Sequence, residues 1–402
     1  MQNQRTLIQL RYRWGIFALL YSLSLGLGYF WLSHVWAWPL AWRWTALAAA
    51  VLIYALAVFW RGLKDNHRQD ESTLLPTLGA GNTLTVGRGL ALGLLAGFLF
   101  LPRPIAGLLA WMPAILYTVL SILDYLDGYA ARLANHATRL GEALDSAFDA
   151  LGLLVAVGLA VWYGQLPAWY MLIGLSRYLF VAGRWQRQRQ GRPVYDLPPS
   201  SNRRLLAGFQ MGFITVILWP LFSPPGTTLA GIVFGASLLA SFLRDWLVVS
   251  GRLDAASAAY RLWRERLHRL VAGWLPALLR LGVAGVSVGF LWPIVAGAGS
   301  RRALLAWPGS PWPHLSADAL GLLAVLATVM LALGVLGRLA SLGLLAPAAM
   351  TVVSAGLHLD NGLLLAGTMA LMLLGSGYFS LWQPEEALIR RRAGEKTVAG
   401  QW

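Results

Sequence analysis

The chain has 402 residues and a formal net charge of +15, with 57% hydrophobic and only 12% charged residues. Together with a mean hydropathy of +0.59, this composition excludes an ordinary soluble globular protein and predicts a membrane protein with several spans. The sequence contains no cysteine, which excludes disulfides, thiolate nucleophiles and cysteine-bound metals.

Twelve apolar segments are long enough to cross about 30 Å of hydrocarbon as helices. They lie at residues 14–33, 38–60, 84–101, 105–123, 141–163, 167–184, 205–223, 228–249, 274–296, 318–336, 339–357 and 362–382. Their grouping in blocks of two, six and four predicts an all-α polytopic membrane fold. The predicted domains are an N-terminal hairpin with a cytosolic linker (1–81), a six-helix core (82–250), an amphipathic interfacial helix (251–272) and a C-terminal four-helix bundle with a basic tail (273–402).

The basic residues concentrate in alternate loops between these segments. If the N-terminus is cytosolic, the twelve spans place most arginines on the cytosolic side, as the positive-inside rule requires. We therefore predict that both termini are cytosolic, that anionic membrane lipids are partners, and that nucleic acid is not. The first apolar segment is too long for a signal peptide and lacks a small-residue cleavage site, so it is predicted to be retained.

Four aspartates lie between two of the apolar segments. On helices, Asp124 and Asp127 share one face, and Asp145 and Asp149 share another, so two facing helices would bring four carboxylates together. Carboxylates are costly at membrane depth and indicate a functional site. They would repel one another unless cations lay between them, and their hard oxygen atoms suit Mg²⁺ or Mn²⁺.

The spacing of these residues is D-x-x-D-G-x-x-A-R-x8-G-x-x-x-D-x-x-x-D, from Asp124 to Asp149. This pattern resembles the motif of the CDP-alcohol phosphotransferase (CDP-alcohol phosphatidyltransferase) family at every fixed position. The sequence from Asn82 to Arg88 is similar to the N-x-x-T-x-x-R that opens the first core helix of that family. The resemblance covers residues 82–250.

The resemblance implies the transfer of a substituted phosphoryl group from a CDP-linked donor to an alcohol, with release of CMP. The arginine distribution predicts that the aspartates lie at the cytosolic face. It implies Mg²⁺ or Mn²⁺ held by Asp124, Asp127, Asp145 and Asp149, with Asp149 also the catalytic base. It further implies a homodimer. The residues predicted to contact the CDP group are Asn82, Thr85, Asp124, Gly128, Ala131, Arg132, Gly141 and Asp145.

A basic cluster downstream is the candidate acceptor site. It comprises Arg177, Arg184, Arg203, Arg204 and Gln210. The family often has an arginine and a G-K-x-x-x-T-x-x-Q stretch here, whereas this chain has Asn202-Arg203 in place of Gly-Lys. Guanidinium groups suit a phosphorylated alcohol, although an ordinary positive-inside loop would show the same arginines.

The leading hypothesis is transfer of a phosphatidyl group from CDP-diacylglycerol, or an ether-lipid analogue, to a polar alcohol of the glycerol 3-phosphate or inositol phosphate type. One alternative is a CDP-choline or CDP-ethanolamine phosphotransferase acting on diacylglycerol, which the arginine cluster disfavours because it would repel a cationic aminoalcohol. A second alternative is a transporter or a non-catalytic scaffold, although no motif position has been lost.

The C-terminal four-helix block is the least informative part of the sequence. The stretch from Leu278 to Trp292 and the helix count are faintly similar to the DoxX-like membrane family. An accessory packing or oligomerisation bundle is the preferred interpretation, because helices rich in leucine, glycine and alanine resemble one another by composition alone.

Overall fold

The computed structural model describes residues 2–134, 136–197, 201–255, 257–296, 302–306 and 313–386. These residues form thirteen α-helices and no β-strand. The helices are α1 (Gln2–Val35), α2 (Trp38–Gly62), α3 (Gly79–Ala96), α4 (Gly107–Leu133), α5 (Arg139–Trp162), α6 (Met171–Arg189), α7 (Ser201–Ile217), α8 (Gly226–Val249), α9 (Ala258–Arg269), α10 (Leu275–Ala296), α11 (Pro313–Leu333), α12 (Gly337–Ala355) and α13 (Leu359–Leu374).

The helices confirm the prediction of an all-α polytopic membrane protein. Each of the twelve predicted segments overlaps one helix, and among the described residues eight helical segments are long and apolar enough to cross a membrane. The other four fall short for visible reasons: α3 is polar over its first half, α6 carries four arginines, and the apolar parts of α7 and α13 are short. The predicted sidedness and domain boundaries stay predictions.

The helices group into two compact units. The first comprises residues 1–178 and 211–220, and the second comprises residues 179–210 and 221–402. The predicted basic tail after residue 386 lies outside the described residues.

In the first unit, α3 packs against α2, α4 and α5. Small residues allow this, because a Cβ atom added to Gly93 would lie 2.2 Å from the Leu52 side chain. The Tyr21 hydroxyl of α1 donates a hydrogen bond of 2.6 Å to the Val86 carbonyl of α3. Close approach through glycine is typical of membrane helices, and these two contacts hold α3 against α1 and α2.

Gly81 lies at a close approach between α3 and α4. A Cβ atom there would lie 2.8 Å from Ala131 Cβ and 3.0 Å from the Asp127 carbonyl oxygen. We expect Gly81→Ala to destabilise the protein by about 1–3 kcal/mol, since overpacking forces the backbones apart. The measurement is the melting temperature of the purified protein in detergent.

Gly87→Ala is the matched control for that substitution, on the same helix. A Cβ atom at Gly87 would meet nothing within 4 Å, so alanine should leave stability unchanged or raise it by about 0.5–1 kcal/mol. Equal melting temperatures for the two variants would contradict the tight α3–α4 contact.

In the second unit, α10 to α13 pack together, and α8 contacts α12 and α13. Two buried arginines hold the segment that follows α13. Arg280 donates to Ser380 Oγ at 2.6 Å and to the Phe379 carbonyl at 3.1 Å, and Arg338 pairs with Glu386 at 2.7 Å. Both charges therefore have oxygen partners, as charged groups inside a helical bundle require.

Candidate active site

The four aspartates lie on the two helices that the sequence pattern predicts. Asp124 and Asp127 are in the last turns of α4, and Asp145 and Asp149 are in the first turns of α5. Oxygen atoms of Asp124, Asp127 and Asp145 lie within 4.8 Å of one another. Asp127 is buried, whereas the other three side chains are half-buried.

Thr138 directly precedes α5 and caps its first turn. Its hydroxyl accepts a hydrogen bond of 3.0 Å from the Gly141 backbone N–H, which caps the helix. Asn82 of α3 donates to the same hydroxyl at 2.9 Å and to Asn66 Oδ1 at 3.2 Å. A Cβ atom at Gly141 would lie 2.3 Å from Asn82 Oδ1, so glycine is needed here for packing as well as for any nucleotide contact.

The linker between α2 and α3 also contacts the start of α5. Asn66, fully buried, donates to the Leu75 and Thr77 carbonyls at 2.9 and 3.0 Å. The His67 carbonyl accepts from the Arg139 backbone N–H at 3.1 Å. The first turn of α5 is thus held by the linker on one side and by Asn82 on the other.

Arg88 of α3 lies in the middle of the aspartates. Its side chain is only 1% exposed, and Nη1 contacts Asp124 Oδ1 and lies 3.5 Å from Asp127 Oδ2. Nη2 lies 2.8 Å from Asp145 Oδ1 and 3.3 Å from Asp149 Oδ1. One guanidinium therefore contacts all four carboxylates.

Sequence reasoning did not predict that Arg88 contacts the aspartates, although two signals pointed to it. Arg88 is the third member of the N-x-x-T-x-x-R motif, whose second member, Thr85, donates to Asp127 Oδ2 at 2.9 Å. It is also an isolated charge in an apolar segment, and such a charge needs a counter-charge nearby.

The residues around Arg88 fit a divalent cation. Carboxylate oxygens are the ligands that Mg²⁺ and Mn²⁺ prefer, and three of the aspartates already converge. Four carboxylates against one guanidinium leave negative charge uncompensated. The cluster is therefore compatible with the divalent metal that the resemblance implies.

Comparison with known families agrees with this geometry. Residues 79–246 match the model of the family described as CDP-alcohol phosphatidyltransferase. Residues 79–246 are a CDP-alcohol phosphatidyltransferase domain. No solved structure matches the chain.

Curated relatives match part of the chain. The "Putative cardiolipin synthase" of Mycobacterium tuberculosis (strain ATCC 25618 / H37Rv) is 32% identical over 129 residues, which cover 27% of this chain and 60% of the relative. The "CDP-diacylglycerol--glycerol-3-phosphate 3-phosphatidyltransferase" of Bacillus subtilis (strain 168) is 37% identical over 70 residues, or 17% of this chain and 36% of the relative.

The protein of the same name from Cereibacter sphaeroides is 33% identical over 106 residues, or 25% of this chain and 47% of the relative. The chain thus spans less than two thirds of the length of each of these relatives. The DoxX-like resemblance of the C-terminal helices stays a prediction.

Three other residues of the phosphatidyltransferase motif have distinct surroundings. Ala131 packs against Gly81 of α3, which gives a packing reason for its small size. A Cβ atom at Gly128 would meet only the Arg132 guanidinium, with the nearest atom at 3.3 Å. Arg132 itself is exposed, so its guanidinium is accessible to a ligand.

The predicted acceptor residues divide between the two units. In the first, Arg177 donates to Ser146 Oγ, next to Asp145 on α5. In the second, Arg184 is half-buried, Gln210 is buried, and Arg203 lies 3.4 Å from the buried Asp245. The Arg204 side chain lies outside the described residues. The acceptor assignment stays a prediction.

Proposed function

We propose that the protein is a metal-dependent transferase that moves a phosphatidyl group from CDP-diacylglycerol, or an ether-lipid analogue, to a polar alcohol and releases CMP. The observation that carries this proposal is the convergence of all four motif aspartates, two from α4 and two from α5, around Arg88 of α3. The names of the relatives, a phosphatidyltransferase for glycerol 3-phosphate and a cardiolipin synthase, support the same reaction class.

In this proposal, Asp124, Asp127, Asp145 and Asp149 hold Mg²⁺ or Mn²⁺, which when bound neutralises the diphosphate and makes the acceptor hydroxyl more acidic. Asp149 takes the hydroxyl proton while the alcohol oxygen bonds to the phosphatidyl phosphorus. The bond from that phosphorus to the CMP oxygen breaks, and CMP leaves. Arg132, exposed beside Gly128, pairs with phosphate as a bidentate donor.

Asn82 and Thr85 remain candidates for contact with the CDP group, and their hydrogen bonds indicate a positioning role as well. Asn82 holds the cap of α5 through Thr138, and Thr85 holds the Asp127 carboxylate. We infer that the N-x-x-T-x-x-R motif supports the aspartates from α3.

For the acceptor, we propose a phosphorylated alcohol such as glycerol 3-phosphate or inositol phosphate. Arg177 supports this, because it is exposed and contacts the helix that carries Asp145 and Asp149. We also propose an active site at the cytosolic face, as the arginine distribution indicates, and a homodimeric assembly, as the resemblance implies.

Release of CMP from radiolabelled CDP-diacylglycerol by the purified full-length protein tests the reaction. We expect release only with Mg²⁺ or Mn²⁺ and a suitable alcohol, and loss of activity in EDTA that is restored by added metal. Glycerol 3-phosphate, inositol phosphate, inositol, serine and aminoalcohols are compared as acceptors. Metal-independent release would rule out the mechanism, and a preference for diacylglycerol with CDP-choline or CDP-ethanolamine would support the reversed division of donor and acceptor.

A further inference from the structure

A cavity of about 1010 Å³ lies in the second unit and includes no residue of the aspartate site. One wall is the face of α9 that carries its arginines, together with the helical turn that follows. The start of α7, Ser237 of α8, Arg338 of α12, the end of α13 and the segment that follows it complete the lining. The volume is in the range of pockets that bind ligands the size of a drug or a lipid headgroup.

The α9 wall is strongly basic. Arg261, Arg264 and Arg269 line the cavity from one face of the helix. None of the three has an ion-pair or hydrogen-bond partner among the described side chains. The two acidic residues on the lining are Glu265 and Glu386, and Glu386 is already paired with Arg338. The cavity therefore holds an excess of unpaired guanidinium groups, which favours an anionic ligand.

Another part of the lining is apolar. Leu205 and Leu206 of α7 and Leu373 and Leu374 of α13 contribute to it. Ser376 also lines the cavity, and its Oγ is buried without a hydrogen-bond partner in the part of the chain that the structure describes. A basic wall and an apolar wall together match a phosphate group attached to hydrocarbon.

The opposite face of α9 is apolar and exposed. Trp263, Leu267 and Leu270 are 56%, 40% and 56% exposed. An amphipathic helix with such an apolar face lies in the membrane interface, where its basic face would ordinarily turn to water. Here that basic face lines a cavity, which an interfacial α9 would hold at the depth of the phospholipid headgroups.

We propose that this cavity binds an anionic phospholipid, with the phosphate at Arg261, Arg264 and Arg269 and the acyl chains along the leucines of α7 and α13. Free phosphate shares the charged part of this chemistry but leaves the apolar wall uncovered. The site is a lipid-binding site separate from the reaction proposed for the aspartates, and it needs no divalent metal.

Equilibrium binding of dioctanoyl phosphatidic acid to the full-length protein in neutral detergent tests this site. The measurement is isothermal titration calorimetry in EDTA, which removes any contribution from a metal-dependent site. We expect Arg261→Gln, Arg264→Gln and Arg269→Gln together to weaken binding at least tenfold. Arg266→Gln, on the same helix but not on the lining, should change it less than twofold.

Two further ligands show whether the site binds an anionic lipid, any phospholipid or free phosphate. Dioctanoyl phosphatidylcholine and inorganic phosphate should each bind at least tenfold more weakly than phosphatidic acid. If inorganic phosphate bound as tightly as the lipid, the lipid assignment would be wrong. If Arg266→Gln weakened binding as much as the triple change, the binding would reflect a general attraction of the lipid to a basic surface and not a site in the cavity.

A variant that fills the cavity gives an independent measurement in case the triple change impairs folding. Leu374→Trp places bulk on the apolar wall and leaves every arginine in place. We expect it to weaken lipid binding at least tenfold with an unchanged elution volume in gel filtration. Binding of the lipid at wild-type affinity by a folded Leu374→Trp protein would overturn the proposal.

Discussion

Asp149→Asn is expected to lower the rate of CMP release by about 10²- to 10⁴-fold, the usual range for loss of a general base. The amide keeps the size of the side chain but cannot accept the proton of the acceptor hydroxyl. Arg88 and the other three aspartates still converge, so binding of CDP-diacylglycerol should change little. Turnover is measured by CMP release and donor binding by filter retention of radiolabelled CDP-diacylglycerol.

Glu142→Gln is the control for this change, because Glu142 is an exposed carboxylate on the same helix and lies outside the motif. Glu142 accepts a hydrogen bond of 3.2 Å from the exposed side chain of Gln69. Because surface changes usually have small effects, Glu142→Gln should leave turnover within about twofold of wild type. If Asp149→Asn retained wild-type turnover, Asp149 would not be the base. If it lost donor binding as well, Asp149 would act in binding before chemistry.

Arg88→Ala should make the stability of the protein depend on divalent metal. Without the guanidinium, the four carboxylates lose the cation that each of them contacts. In EDTA we expect a loss of about 3 kcal/mol, the lower end of the range for breaking a buried ion pair, because Asp145 and Asp149 are half exposed and screened. Millimolar Mg²⁺ should recover part of this loss.

Melting temperatures of wild type and Arg88→Ala, each with EDTA and with Mg²⁺, measure this effect. The melting temperature of the wild type should differ less between EDTA and Mg²⁺ than that of Arg88→Ala. Arg88→Lys is the companion variant, since it keeps the charge but cannot bridge carboxylates in pairs. Its melting temperature in EDTA should lie between those of wild type and Arg88→Ala. An Arg88→Ala protein as stable as wild type in EDTA would show that Arg88 does not hold the aspartates together.

The aspartates could be placed from the sequence because their spacing is a local property. Residues three or four apart share a helix face, and both helices are marked by long apolar segments. The partners of Arg88 could not be found in the same way. They depend on how α3 packs between α4 and α5, which is set by contacts such as that of Gly81 with Ala131.

The same limit applies to α9. Alternating apolar and basic residues predict an amphipathic helix, and α9 is one. The sequence alone does not show what lies beside its arginines, three of which line a cavity with residues of α7, α8, α12, α13 and the segment after α13. The sequence pattern predicts which residues share a face of the helix. It does not predict which other parts of the protein lie beside each face.

The linker between α2 and α3 has a practical consequence for work with this protein. Because Asn66 bonds to Asn82, and the His67 carbonyl bonds to the first residue of α5, a protease nick or an inserted tag near residues 66–75 would disturb α5 about 70 positions away. Such a lesion would lower activity while leaving every aspartate intact. An expression truncation that starts at Asn82 would remove the same support.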